Sequence, residues 1–219
     1  SGTEACWELA DPAMTDIPTD FLQGNTDLTG TLKVGPAVKT IGAYAFEATK
    51  LTGLDLSKAT SLVEIGDRAF FATDIAGTLK VGPAVKTIGA RAFEATKLTG
   101  LDLSEATSLA EIGYRTFLGN DLAGTLVIPA TVTTISAGAF EDTKLTGLDL
   151  SKATSLVEIG DRAFLATDLG GTLVIPATVT TIGEYAFQAT KLTGLDPSKA
   201  TSLMSLADSA FFGTALGPW

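Results

Sequence analysis

The stretch Val174-Ile175-Pro176-Ala177-Thr178-Val179-Thr180-Thr181-Ile182-Gly183-Glu184-Tyr185-Ala186-Phe187 decides the fold. Its frame recurs along the whole chain. Gly-Thr-Leu returns around Thr31, Thr78, Thr125 and Thr172, with Gly-Leu-Asp around Leu54, Leu101, Leu148 and Leu195 between them. The chain therefore repeats every 47 residues, and each 47 splits into two units, giving eight coils of 23 or 24 residues. A period in this range marks a solenoid, whose units bury their apolar faces only by stacking on neighbours.

Alignment on Phe187 exposes the expected core. Phe46, Phe70, Phe93, Phe117, Phe140, Phe164, Phe187 and Phe211 form one column. Five residues earlier comes an aliphatic column from Ile41 to Leu206, and eight earlier another from Val38 to Leu203. Segments such as Leu32-Lys33-Val34, Leu54-Asp55-Leu56 and Leu126-Val127-Ile128 alternate with period two, so they predict one short strand per coil and a parallel sheet running along the rod. Glycines at 30, 53, 77, 100, 124, 147, 171, 194 and 217 mark corners that need positive φ or close backbone approach. Pro36, Pro83, Pro129 and Pro176 stop the strands of odd coils, while Pro197 stands in the last Leu-Asp-Leu. Three residues after each Phe lies Thr or Asn, from Thr49 to Thr214, read as an inward hydrogen-bonding ladder rather than an ice-binding plane.

Composition narrows the chemistry. The 219 residues include one Cys and no His, which closes an intrachain disulfide, the common zinc sites and Ser/His/Asp or Cys/His catalysis. No catalytic, cofactor or metal residue is expected, and the chain reads as a non-enzyme. No apolar run is long enough to span a membrane. The net charge of −10 gathers in residues 1–29, which hold six acidic and no basic residues, so nucleic acid is not an expected partner.

The repeated Ile-Pro step, Val-Thr-x-Ile-Gly and Ala-Phe resemble the BspA-type (Treponema pallidum-type) leucine-rich repeat. The pattern recurs as Ile41-Gly42 to Phe46, Ile65-Gly66 to Phe70 and Ile88-Gly89 to Phe93, with Thr or Asn where that family usually carries Cys. The resemblance implies a leucine-rich-repeat solenoid, mostly β, a right-handed coil of short parallel strands joined by irregular or short helical bends. It also implies secreted or cell-surface proteins that bind host or matrix proteins or mediate attachment, without catalysis. The expected organisation is an N-terminal cap over 1–29, an eight-coil solenoid over 30–217 and an end at 218–219. In the cap, Thr3 to Ala10 reads as a short N-capped helix, and Ile17 with Phe21 as a degraded half-coil. Trp7 and Trp219 are read as end caps; Cys6 is read as a buried cap residue, or an exposed thiol open to intermolecular pairing.

Function is sought in columns. Two residues before the Phe stand Tyr44, Arg68, Arg91, Arg115, Gly138, Arg162, Tyr185 and Ser209, with Tyr114 next door. Arg and Tyr are enriched at binding hot spots, so Tyr44, Arg68, Arg91, Tyr114, Arg115, Arg162 and Tyr185 are the candidate partner-binding residues. The structural alternative is an Arg/Tyr ladder paired with Glu64, Asp67, Glu111, Glu158 and Asp161. One residue after the Phe, Phe71, Leu118, Leu165 and Phe212 form a sticky stripe if they face outward and packing if they tuck under the bend. Charge alternation at Lys50, Asp74, Lys97, Asp121, Lys144, Asp168 and Lys191, and on the strands at Lys33, Asp55, Lys80 and Asp102, reads as register-setting pairs. Asp55, Asp102 and Asp149 lie at a spacing near that of paired glycosidase carboxylates, but on a repeated flat surface rather than a cleft. The expected role is a binding module for a protein or glycan, extracellular or on the cell surface; a subunit built into a larger complex is the alternative.

Overall fold

The computed structural model describes residues 6–8 and 13–216, and among these no helix occurs. The chain winds as a parallel β-solenoid with two strand positions per turn. One carries two-residue strands: β2 (Asp16–Ile17), β4 (Thr40–Ile41), β6 (Glu64–Ile65), β8 (Thr87–Ile88), β10 (Glu111–Ile112), β12 (Thr134–Ile135), β14 (Glu158–Ile159), β16 (Thr181–Ile182) and β18 (Ser205–Leu206). These nine form one continuous parallel sheet in chain order. The other carries longer strands: β1 (Cys6–Glu8), β3 (Thr29–Lys33), β5 (Lys50–Asp55), β7 (Ala76–Lys80), β9 (Lys97–Asp102), β11 (Ala123–Val127), β13 (Lys144–Asp149), β15 (Gly170–Val174) and β17 (Lys191–Asp196).

The longer strands correct one expectation. They do not make a sheet along the rod but pair two by two, as β3–β5, β7–β9, β11–β13 and β15–β17, with β1 added beside β3. The cause is alternating coil length: Leu32 lies six residues before Val38, whereas Leu54 lies eight before Leu62. Within each pair a bulge takes up the mismatch, with the register shifting after Gly30, Gly77, Gly124 and Gly171, all at φ 75–84°. The partner glycine serves closeness instead: a Cβ at Gly53 would stand 3.3 Å from the Cβ of Thr31 and closer still to its Oγ1. The uninterrupted ladder runs through the Ile column, where every coil has the same residue count to its Phe.

The phenylalanine column is continuous. Neighbouring rings from Phe46 to Phe211 lie 5.2–5.7 Å apart and within 13° of parallel. Seven of the eight are fully buried; Phe211 in the last described coil is partly exposed, and Leu206 reaches 45% exposure because no later described coil covers it. In the even coils the inward strand residue is Leu51, Leu98, Leu145 or Leu192, with Leu54, Leu101, Leu148 and Leu195 only half-buried. The Thr column is buried except at Thr214, and Thr49, Thr73, Thr96, Thr143, Thr167 and Thr214 donate their hydroxyls to the Phe carbonyl three residues back, while the Thr190 hydroxyl has no partner among the described residues. Buried Thr cannot present an ice plane. Asn120 does more, accepting from Thr96 Oγ1 and donating through Nδ2 to the carbonyls of Phe93 and Phe117.

At the start, Cys6–Glu8 are a strand where the sequence predicts helix. Backbone pairing with β3, from Cys6 opposite Thr31 to Glu8 opposite Lys33, supplies a ready-made edge that a helix as short as Thr3 to Ala10, marginal on its own, could not match. Trp7 is 45% exposed and donates Nε1–H to the Thr29 carbonyl, fastening that strand. The half-coil holds a full turn's bonds, with Leu22 rather than Phe21 at the Phe position: Leu22 N–H donates to Ala45 as Phe46 N–H does to Ala69. Phe21 meets Phe46 edge-on. The Cys6 side chain and Trp219 lie outside the described residues.

Candidate functional site: the arginine–tyrosine column

The bend around each Phe decides where the candidate residues point. In the first of the eight coils, N–H groups of Tyr44, Phe46 and Ala48 donate to carbonyls of the next coil, while those of Ala45, Glu47 and Thr49 close turns onto residues three back. Such alternation demands left-handed residues at regular intervals. Tyr44, Arg68, Arg91, Arg115, Arg162 and Tyr185 all have φ of 51–59°, and Gly138 shares that position at 64°. A non-glycine residue there costs of order 1 kcal/mol. Glycine closes the same bend in one coil, so the bend itself does not require Arg or Tyr.

The structure brings the seven candidates into one column and links most of them. Arg68 lies over the rings of Tyr44 (5.7 Å) and Phe71 (5.3 Å), Arg162 over Tyr185 (5.9 Å). Tyr114, 40% exposed, is flanked by two guanidinium groups, Arg91 at 5.6 Å and Arg115 at 5.1 Å. Cation–π contacts of this kind contribute roughly 0.5–1 kcal/mol each at exposed sites. The ion pairs differ from the sequence expectation. Arg68 pairs with Glu47 (3.8 Å) and Arg91 with Glu94 (3.4 Å), both from the position after the Phe. Asp67 and Asp161 instead accept backbone N–H groups of Ala90 and Glu184, and Glu111 accepts the Ser136 hydroxyl. Among the described residues Arg115 and Arg162 have no ion pair.

The position after the Phe tucks under the bend: Phe71, Leu118 and Leu165 are half-buried, and of the stripe only Phe212, in the last described coil, stands out at 66% exposure. The register ladder is formed, with Asp74 held between Lys50 (3.6 Å) and Lys97 (2.7 Å), and Lys191 on Asp168 (2.6 Å). Asp55, Asp102, Asp149 and Asp196 each accept the backbone N–H two residues on through Oδ1. Hydrogen bonds from Ser57, Ser104, Ser151 and Ser198 hold their carboxyls below the usual range. A proton-donating carboxyl needs the opposite shift. Among the described residues no cluster of three potential metal ligands occurs, and no helix is long and apolar enough to cross a membrane.

These features define a leucine-rich-repeat solenoid. The BspA type leucine rich repeat region, in six copies, matches residues 39–169 and 157–217. The chain belongs to that family. It is similar to a leucine-rich repeat protein of Bacteroides ovatus (TM-score 0.57, 18% identity), covering 90% of this chain and 62% of that one. It is also similar to the pneumococcal vaccine antigen PcpA (TM-score 0.53, 16% identity), covering 85% and 51%. At these identities the likeness is one of fold, and the chain spans about half to two-thirds of each neighbour. No curated protein matches the sequence.

Proposed function

We propose that the chain is a non-catalytic binding module of the cell surface, with Tyr44, Arg68, Arg91, Tyr114, Arg115, Arg162 and Tyr185 forming its docking strip for a protein or glycan. The observation that carries this reading is the column of Arg and Tyr kept at left-handed positions where Gly138 shows that glycine suffices. Side chains that cost backbone strain and contribute only weak surface contacts are accounted for by what they meet outside. The family and the pneumococcal neighbour, an antigen, support the surface setting.

The test is binding of the full chain to arrays of matrix proteins and glycans, alongside Arg91→Ala/Arg115→Ala. Affinity for the partner found should fall by about 1–3 kcal/mol per truncated hot-spot Arg, with the thermal transition nearly unchanged. Normal binding by this variant, with loss on changing Asp55, Asp102 and Asp149, moves the docking surface to the strands. A collapsed transition assigns the column to the scaffold. The second reading, a subunit fixed in a larger complex, draws on Met204 (86% exposed), Leu206 and Phe212, which stand out together in the last described coil. Native mass measurement on protein from its source separates the two, since a stoichiometric complex favours the second.

A further inference from the structure

The alternation of coil length shapes the corner where the longer strands end. Leu79 lies six residues before Val85 and Leu126 six before Val132, whereas Leu101 lies eight before Leu109. The shorter corners recede between the longer ones. One trough, of about 560 Å³, has Gly82 and Pro83 as its floor, with Ser57, Thr60, Asp102 and Ser104 on its walls. The next, of about 610 Å³, has Pro129, Ala130 and Thr131 as its floor, with Ser104, Thr107 and Lys152 on its walls. Gly82 and Pro129 hold equivalent positions 47 residues apart, and the ridge at residues 102–107 is common to both troughs. Each volume falls within the range of about 300–1,000 Å³ typical of small-ligand sites.

The spacing of the troughs selects what enters both. Two coil steps, 5.7 Å at Phe93–Phe117 and 5.4 Å at Phe117–Phe140, set them about 11 Å apart along the rod. An α-helix, about 10–12 Å across with its side chains, is as wide as that spacing and rides on the ridges. An extended peptide covers the distance in about three residues, which turns opposite faces to the two troughs. A β-1,4-linked sugar chain is slender and turns over at each unit. Every second sugar therefore shows the same face after about the same advance, as every second coil brings back the short corner.

The lining chemistry agrees. Asp102 lines both troughs as an acceptor, Ser104, Thr107 and Thr131 present exposed hydroxyls, and Lys152 brings an ammonium donor. Sugar hydroxyls both donate and accept, so they match a wall of mixed polarity. The prolines on the floors, with Val81 in one trough and Val127 in the other, give the C–H face of a sugar ring an apolar seat. Charge excludes a polyanion: Asp55, Asp102 and Glu105 outnumber Lys80 in the first trough, and Asp102 balances Lys152 in the second. We propose that the troughs at residues 82–84 and 129–131 bind a neutral β-1,4-linked polysaccharide laid along the rod, with alternate sugars seated in successive troughs. This takes up the glycan side of the binding-module reading at a corner separate from the arginine column.

Calorimetric titration of the full chain with cellohexaose tests this. It should bind about tenfold more tightly than cellotriose, because a chain held in one trough meets the second at raised effective concentration. Maltohexaose, the same sugars in an α-1,4-linked curl, should bind about tenfold more weakly than cellohexaose. Gly82→Leu/Ala130→Leu fills both floors. A Cβ at Gly82 meets nothing within 4 Å and Ala130 is exposed, so the thermal transition should hold while affinity for cellohexaose falls about tenfold. Asp102→Asn keeps the Oδ1 acceptor of its turn and should cost about threefold, as a neutral acceptor replaces a charged one. Arg91→Ala/Arg115→Ala should bind cellohexaose as the parent does, so failure here is separable from failure of the arginine strip. The proposal is overturned if cellohexaose does not bind, if maltohexaose binds equally well, or if the filled variant, folded by its thermal transition, binds as the parent does.

Discussion

At the scale of single residues, the left-handed column makes a sharp prediction about stability. Arg91→Ala removes the Glu94 ion pair and the Tyr114 contact but keeps a Cβ at φ 56°, whereas Arg91→Gly removes the same contacts and the strain. The glycine variant should be the more stable by about 1 kcal/mol in urea melts. Equal stabilities would mean that the bend relaxes around the side chain. Gly100 tests the opposite requirement. Its absent Cβ would lie 2.6 Å from Thr78 Oγ1 and 3.3 Å from Thr78 Cβ, so Gly100→Ala should cost about 1–3 kcal/mol, much of it recovered on adding Thr78→Ala. The aspartates predict pH dependence. Their folded pKa values are depressed, so their contribution is full above the unfolded value of about 3.9 and is lost as pH falls through the lower folded value. Replacing Asp55, Asp102 and Asp149 by Asn should flatten the stability profile over that acid range.

At the scale of elements, the phenylalanine column shows what the sequence states openly. Spacings alone place seven buried rings, and Phe117 with rings at 5.7 and 5.4 Å on its two sides should lose roughly 3–5 kcal/mol on truncation to Ala. Phe211, stacked on Phe187 and partly exposed, should lose less; equal losses in denaturant melts would contradict a burial that falls off in the last described coil. The Ile, Val/Leu and Thr columns were legible for the same reason, since a burial pattern repeats with the chain. The pairing of the longer strands was not. Six residues between Leu32 and Val38 against eight between Leu54 and Leu62 is visible in the letters, but whether a bulge or a gap absorbs the difference depends on Thr31 lying against Gly53. The partners of the arginines were hidden likewise: Glu47 and Glu94 sit one residue past the Phe, and only the turn geometry carries them back to Arg68 and Arg91. Cys6–Glu8 misled because a helical pattern over so few residues yields to any edge strand within reach.

At the scale of the whole molecule, stability should be graded along the rod. Each coil touches its neighbours, so opening starts at an end. Amide exchange should be slowest around β10 and β12 and fastest around β18, whose Ser205 and Leu206 are exposed. Uniform protection would instead indicate a single all-or-none unit. The bends add a property no side chain provides. Tyr44, Phe46 and Ala48 each pass an N–H to the coil that follows, and Arg162, Phe164 and Ala166 do the same five coils later, while Gly42, Gly66 and Gly160 at the entrances to their bends pass theirs to the coil before. Peptide dipoles of about 3.5 D therefore lie along the rod in opposed rows that offset one another. Each coil is laced to both neighbours by backbone alone, so a rod end offers a neighbouring rod unspent donors and acceptors rather than a single pole.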